Sequence, residues 1–309
     1  MYKTDNQLSI HFVTSSNSIW YLSQAIKSYI HLCSKSSSLN FYVYALDKSS
    51  VKKVKRLSAS IECTWVGNHS GSMGHAYGLE KAIENFDVDN CNIVSDTDVM
   101  MLRENWDFDL LTVLNDEKLD ILGTQHEKIG GFISGNLVLQ QYKQLPSTTW
   151  FAVRKGLSLP SLDLRPDKEM PMDINSLHLS QLYNLPIGYK LFKDTGWRIP
   201  SYLHSRKLTS QVLDLVKPTD ENSQVLKGEN PYHDEFHLKG SPFLAHQRGS
   251  MSHVYRIDKL SRGFYNACDK YLSFPAWSEP ARIKDYPLFL VKKIKKVARR
   301  IKLSLLSHQ

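Results

Sequence analysis

The sequence has few cysteines: Cys33, Cys63, Cys91 and Cys268 are the only ones in 309 residues, and none is spaced as CxxC. Scattered single thiols exclude a zinc ribbon and a disulfide-stapled scaffold, and fit small buried residues in a reducing compartment. Long apolar runs are also missing. No stretch reaches the roughly 18 apolar residues that span a bilayer. The start, MYKTDNQLSIHFVTSS, lacks the basic opening and apolar centre of a leader peptide, so a cytoplasmic protein is expected, at most held at a membrane surface. Acid is absent from residues 288–309, LFLVKKIKKVARRIKLSLLSHQ, which carry seven Lys/Arg. Taking those seven charges from the net +8 leaves +1, so the body of the chain is nearly neutral. A nucleic-acid binder is thereby disfavoured, because the tail alone would give weak, salt-sensitive binding.

What is present is ample core material. Hydrophobic residues make up 41% and aromatic residues 11%, which excludes global disorder. Leaving the tail aside, residues 1–285 are expected to form one large α/β domain.

The N-terminal third alternates strands and helices. LSIHFVT (8–14), LNFYVYALD (39–47), IECTWVGN (61–68) and CNIVSD (91–96) read as strands, being short, β-branched or aromatic, and bounded by turn residues. Between them, SIWYLSQAIKSYIHLC and VKKVKRLSA have helical spacing, and a glycine-containing loop opens a helix from about His75 to Phe86. This order indicates a doubly wound, mostly parallel sheet, whose ligands bind beyond the C-terminal strand ends. Thr14, Asp47, Asn68 and the pair Asp96/Asp98 fall at such ends. Past residue 100, DILGTQ and GGFISGNLVLQ suggest further strands, MDINSLHLSQLYN a helix, and the polar residues 200–235 a loop or lid.

Two carboxylates one residue apart, closing an apolar run, repel unless a cation neutralises them or water screens them. A solvated strand end is the plainer reading, and a divalent metal site the sharper one. Mg²⁺ or Mn²⁺ takes hard oxygen ligands of this kind.

Strand, then SDTDVMML, then a later helix opening with an acid, resembles the GT-A glycosyltransferases over roughly residues 8–200. The resemblance implies a Rossmann-like, mixed but mostly parallel sheet flanked by helices, with about 1–100 as the nucleotide-sugar half and about 101–285 as the acceptor half. It implies transfer of a hexose or pentose from a nucleotide-diphosphate sugar to a glycan or lipid-linked acceptor, as in polysaccharide biosynthesis, with Mn²⁺ or Mg²⁺. On the family pattern Asp98 carries most of the metal contact and Asp96 meets the sugar nucleotide as well. Thr14 and Asp47 lie where the family binds base and ribose; an N-cap of the DKSS helix is the other reading of Asp47. His75 in GHAYGLEKA is either a donor contact or a solvent-facing residue at the helix start.

MDINSLHLSQLYNLPIGYKL (172–191) resembles the family helix whose acid is the catalytic base of inverting members, which places Asp173 as base; Met172 stands where the preceding acid would be. A helix cap is the competing reading of Asp173. In SPFLAHQRGSMSHVYR (241–256), His246 is expected as a third metal ligand with His253 in reserve, and Arg248 as a diphosphate contact. A retaining GT-A enzyme is the rival within the class. A non-catalytic nucleotide- or carbohydrate-binding protein on the same scaffold is the rival outside it. A nucleotidyltransferase is disfavoured, since TSSNSIWYLS after the first strand has neither glycine nor basic residues.

In the tail, Leu290, Ile294, Val297, Ile301 and Leu305 share one helical face with Lys/Arg over the rest. Residues 286–309 are therefore expected to form a basic amphipathic helix that lies on an anionic membrane surface, or else docks on the protein itself.

Overall fold

The computed structural model describes residues 6–34, 37–58, 60–125, 146–173, 190–193, 195–196, 198–248 and 259–272. The segment 130–142, His253 and the tail 286–309 lie outside the described residues, as do residues 174–189.

The alternation read from the sequence is present. β1 (Asn6–Thr14), α1 (Ile19–Leu32), β2 (Ser37–Ala45), α2 (Lys48–Lys55), β3 (Glu62–Trp65), α3 (Gly71–Glu84) and β4 (Cys91–Ser95) follow one another. β5 (Val99–Met101), α4 (Trp106–Asp116), β6 (Ile121–Gln125), β7 (Pro146–Val153), β8 (Asp167–Asp173) and β9 (Lys190–Lys193) continue the chain. After them come α5 (Ile199–Arg206), β10 (Ser210–Val216), β11 (Asp234–Leu238), β12 (Ser241–His246) and α6 (Lys259–Leu272). The main sheet runs β3-β2-β1-β4-β7-β6-β10-β11-β12-β5, and β8 pairs with β9 in a second, two-stranded sheet. β1 is parallel to both β2 and β4, and β10 is parallel to β6, whereas β7 runs antiparallel between β4 and β6. The result is an α/β fold with a mixed, largely parallel sheet. The chain divides into two compact units, Met1–Leu215 with Phe236–Leu244, and Val216–Glu235 with Ala245–Gln309.

β1 is covered on both faces. Leu8, Ile10 and Phe12 are fully buried on one side, and Ser9 and His11 on the other. Burial without a counter-charge pushes the His11 pKa down to about 4, against a smaller opposing effect of its bond to Asn92, so the ring is neutral. One face packs through aromatic edges. The Trp150 indole N–H donates to the Tyr29 hydroxyl at 2.7 Å, and the Trp106 indole N–H to the Tyr29 carbonyl at 3.1 Å. On the other face α3 lies so close to β1 that a Cβ at Gly78 would meet Val13 Cγ1 at 2.4 Å.

Two expectations are corrected. The third helix begins at Gly71 rather than near His75, its preceding residue Ser70 being extended. Residues 200–235 are not one loop: they hold most of α5, all of β10 and the first residues of β11. SQVLDLV was obscured by its half-polar composition, but it sits beside β6 and buries Leu213 and Val216. Asp173 precedes residues 174–189, where the helix was expected and which lie outside the described residues. It closes β8, opposite Lys190 of β9.

Candidate metal and nucleotide site

The parallel strands deliver their C-terminal ends to one side of the sheet, and β4 delivers the carboxylate pair. Its backbone is pinned where it leaves the sheet: the Asp96 N–H donates to the Thr149 carbonyl of β7 at 2.8 Å, and the Val99 N–H to the Asp96 carbonyl at 3.4 Å. The turn that results places Asp96 and Asp98 at the strand end, with Asp98 only 9% exposed. An acid so covered requires a counter-charge or hydrogen-bond donors.

His75 supplies one such contact for Asp96. It projects from the second turn of α3, and its Nε2 lies 3.0 Å from Asp96 Oδ1. His75 is therefore neither a helix-start residue nor a side chain directed only at solvent. β12 ends on His246, which is 9% exposed. Two carboxylates one residue apart have the donor chemistry for one hard divalent ion.

The ends of β1 and β2 are occupied differently from what their position implied. Thr14 is 1% exposed, and its hydroxyl is paired with the Ser18 hydroxyl at 3.0 Å. Asp47 is the N-cap of α2. One oxygen accepts from the Ser50 N–H and the Ser49 hydroxyl, the other from the Ser16 N–H and the Ser50 hydroxyl, each at 2.8 Å. A carboxylate has about four lone-pair positions, so a nucleobase would compete with protein donors for each. Burial alone would raise the Asp47 pKa, but the bonds from Ser49, Ser50 and Ser16 hold it well below the usual carboxylate range.

Two features went unread in the sequence. Trp65, closing β3, is 46% exposed, with the Lys48 ammonium 4.9 Å from its ring centre, and the His69 and Tyr77 rings stack at 4.7 Å. An exposed aromatic face of this kind can stack on a flat ligand. The second is Asp234, a buried acid at the start of β11 hidden in the polar run GENPYHDE. Its Oδ1 accepts from Lys217 Nζ at 2.5 Å; its Oδ2 lies 2.5 Å from Arg248 Nε and 3.4 Å from His246 Nδ1. Burial would raise the Asp234 pKa, but the His246 bond and the Arg248, His246 and Lys217 charges hold it well below the ordinary value.

No protein-family model and no curated protein matches the sequence. Solved structures do. A mannosyltransferase of Pyrobaculum calidifontis, PcManGT, in complex with GDP-Man and Mn²⁺, is similar at 10% identity and a TM-score of 0.34, over 49% of this chain and 45% of that one. The galactosyltransferase LgtC, in complex with donor and acceptor sugar analogues, is similar at 11% identity and a TM-score of 0.40, over 67% and 73%. TarS of S. aureus is similar at 12% identity and a TM-score of 0.34, over 51% and 31%. The chain thus spans less than half the length of the mannosyltransferase and under a third of TarS.

Proposed function

We propose that this protein is a GT-A glycosyltransferase, moving a hexose or pentose from a nucleotide-diphosphate sugar to a glycan or lipid-linked acceptor with the help of Mn²⁺ or Mg²⁺. The observation that carries the reading is the carboxylate pair Asp96 and Asp98, held by the turn at the C-terminal end of β4. That is where an α/β sheet of this order binds ligands.

Asp98 and Asp96 would hold the ion, and His246 is the third ligand that the sequence resemblance implies. The mixed oxygen and imidazole set favours Mn²⁺ over Mg²⁺. When bound, the ion supplies Lewis-acid stabilisation of the charge that develops on the departing nucleoside diphosphate. His75 fixes the Asp96 carboxylate through its 3.0 Å contact, so that the acid keeps one orientation. Arg248 would meet diphosphate oxygens, for which a planar guanidinium is well matched. Thr14 and Asp47 shape the nucleotide end through the loop they stabilise, and the exposed face of Trp65 offers the base a stacking surface. Asp173 would take the proton of the acceptor hydroxyl as that oxygen attacks the anomeric carbon, giving inversion; its support is the sequence resemblance. Residues 288–309 would bring the enzyme to an anionic membrane surface, which suits a lipid-linked acceptor.

A panel of nucleoside diphosphates and nucleotide sugars, each with and without Mn²⁺, tests the reading by thermal shift. One nucleotide at about 100 times its Kd stabilises the protein by about 2.7 kcal/mol, and the shift is expected to need Mn²⁺ and to vanish in Asp98→Asn. Absence of any Mn²⁺-dependent shift, or its survival in that variant, refutes the metal site. Binding without turnover of any donor would leave a nucleotide-binding protein, and the anomeric configuration of the product separates inversion from retention.

A further inference from the structure

Asp234 has no role in the reaction just described, yet three basic side chains converge on it. It is fully buried, with Lys217 on one oxygen and both His246 and Arg248 on the other. These partners come from two separate stretches of chain: Lys217 follows β10, and His246 and Arg248 stand at and just beyond the end of β12. Packing alone would be served by an apolar residue at position 234, since a buried acid is costly unless fully paired. The three partners are also half-covered or less exposed, at 22% for the Lys217 side chain, 11% for His246 and 33% for Arg248. Their long side chains are therefore held to one geometry.

We propose that Asp234 is the positioning residue of the metal and diphosphate site, acting through His246 and Arg248; this rests on the glycosyltransferase reading above. Asp234 Oδ2 facing His246 Nδ1 fixes the ring tautomer. Nδ1 carries the proton and donates it to the carboxylate, and the lone pair sits on Nε2, the nitrogen that a cation takes. A carboxylate behind a ligating imidazole fixes the ring's orientation and raises its basicity. The same oxygen accepts from Arg248 Nε, which sets the direction of the guanidinium plane. One buried acid thereby orients a metal ligand and an anion contact at once, and Lys217 balances the charge from the other side.

Mn²⁺ titration by calorimetry, on the full chain without nucleotide, tests this with four proteins: wild type, Asp234→Asn, His246→Ala and the double variant. Asp234→Asn is expected to lower Mn²⁺ affinity about 10- to 100-fold. In the His246→Ala background the same substitution is expected to change affinity by less than about 2-fold, since the route through His246 is already gone. Equal affinity of wild type and Asp234→Asn overturns the proposal while leaving the metal site standing. Equal loss in both backgrounds also overturns it, by showing that Asp234 acts on the fold at large. A wild type that binds no Mn²⁺ removes the glycosyltransferase reading, and the proposal with it. Should Asp234→Asn fail to fold, the wild-type protein decides: nitrogen-15 correlation spectra are expected to show the His246 proton on Nδ1, and a proton on Nε2 instead overturns the assignment.

Discussion

Replacing Asp47 with alanine removes the N-cap of α2 and the carboxylate that accepts from the Ser16 N–H. The lost cap costs about 1 kcal/mol. The Ser16 N–H is part-buried and loses a charge-assisted bond, a further 1–2 kcal/mol or so. The Ser49 hydroxyl is exposed and returns to water at little cost. The sum, about 2–3 kcal/mol, corresponds to a fall in Tm of about 5–10 °C for a unit of this size. Charge makes the effect depend on pH. The folded-state pKa of Asp47 lies below its unfolded value. Its contribution is therefore complete above about pH 4 and fades as pH falls through the folded value, because there the folded state too takes up the proton. Thermal unfolding of wild type and Asp47→Ala, from neutral to strongly acid pH, is expected to show a gap that narrows on acidification. Asp47→Asn, which keeps a good cap but no charge, should fall between them at neutral pH. Equal Tm values at neutral pH would refute the reasoning. If nucleotide binding were lost at the same time, Asp47 would be a ligand contact and not a clamp.

Other perturbations follow from single contacts. Gly78→Ala drives a methyl into Val13 at the α3–β1 contact and should cost about 1–3 kcal/mol by overpacking, measured by denaturant titration. Glu235→Ala removes a buried carboxylate that accepts from the Ser223 hydroxyl and from the N–H groups of Gln224, Val225 and Leu226. Faster hydrogen exchange at 224–226 is expected, and unchanged protection there would refute the role. Deleting residues 288–309 should abolish binding to vesicles rich in anionic lipid while leaving the nucleotide-dependent thermal shift intact. Equal flotation of full-length and truncated protein would exclude the membrane role.

The sequence by itself determined the β/α order, the strand that ends in Asp96 and Asp98, and the parallel arrangement at the N-terminal half. Those signals are local: alternation and helical spacing act within one element, and a carboxylate pair after an apolar run is visible in a handful of residues. DKSS could be read as a helix cap from side-chain chemistry alone. The tie from Asp47 to Ser16 could not, because it joins the ends of two strands that only pairing brings together. Residues 200–235 were misjudged for a related reason. A strand at a partly solvated position keeps polar residues on one face, so β10 has the composition of a loop until its neighbour is known. Asp173 read as a helix start, and its pairing across from Lys190 emerges only in β8–β9. His75 on Asp96, and Asp234 beneath Lys217, His246 and Arg248, were decided by tertiary structure alone. Charge pairing depends on distance in space, and the partners are distant in the chain. A buried acid becomes tolerable only once the fold delivers its cations.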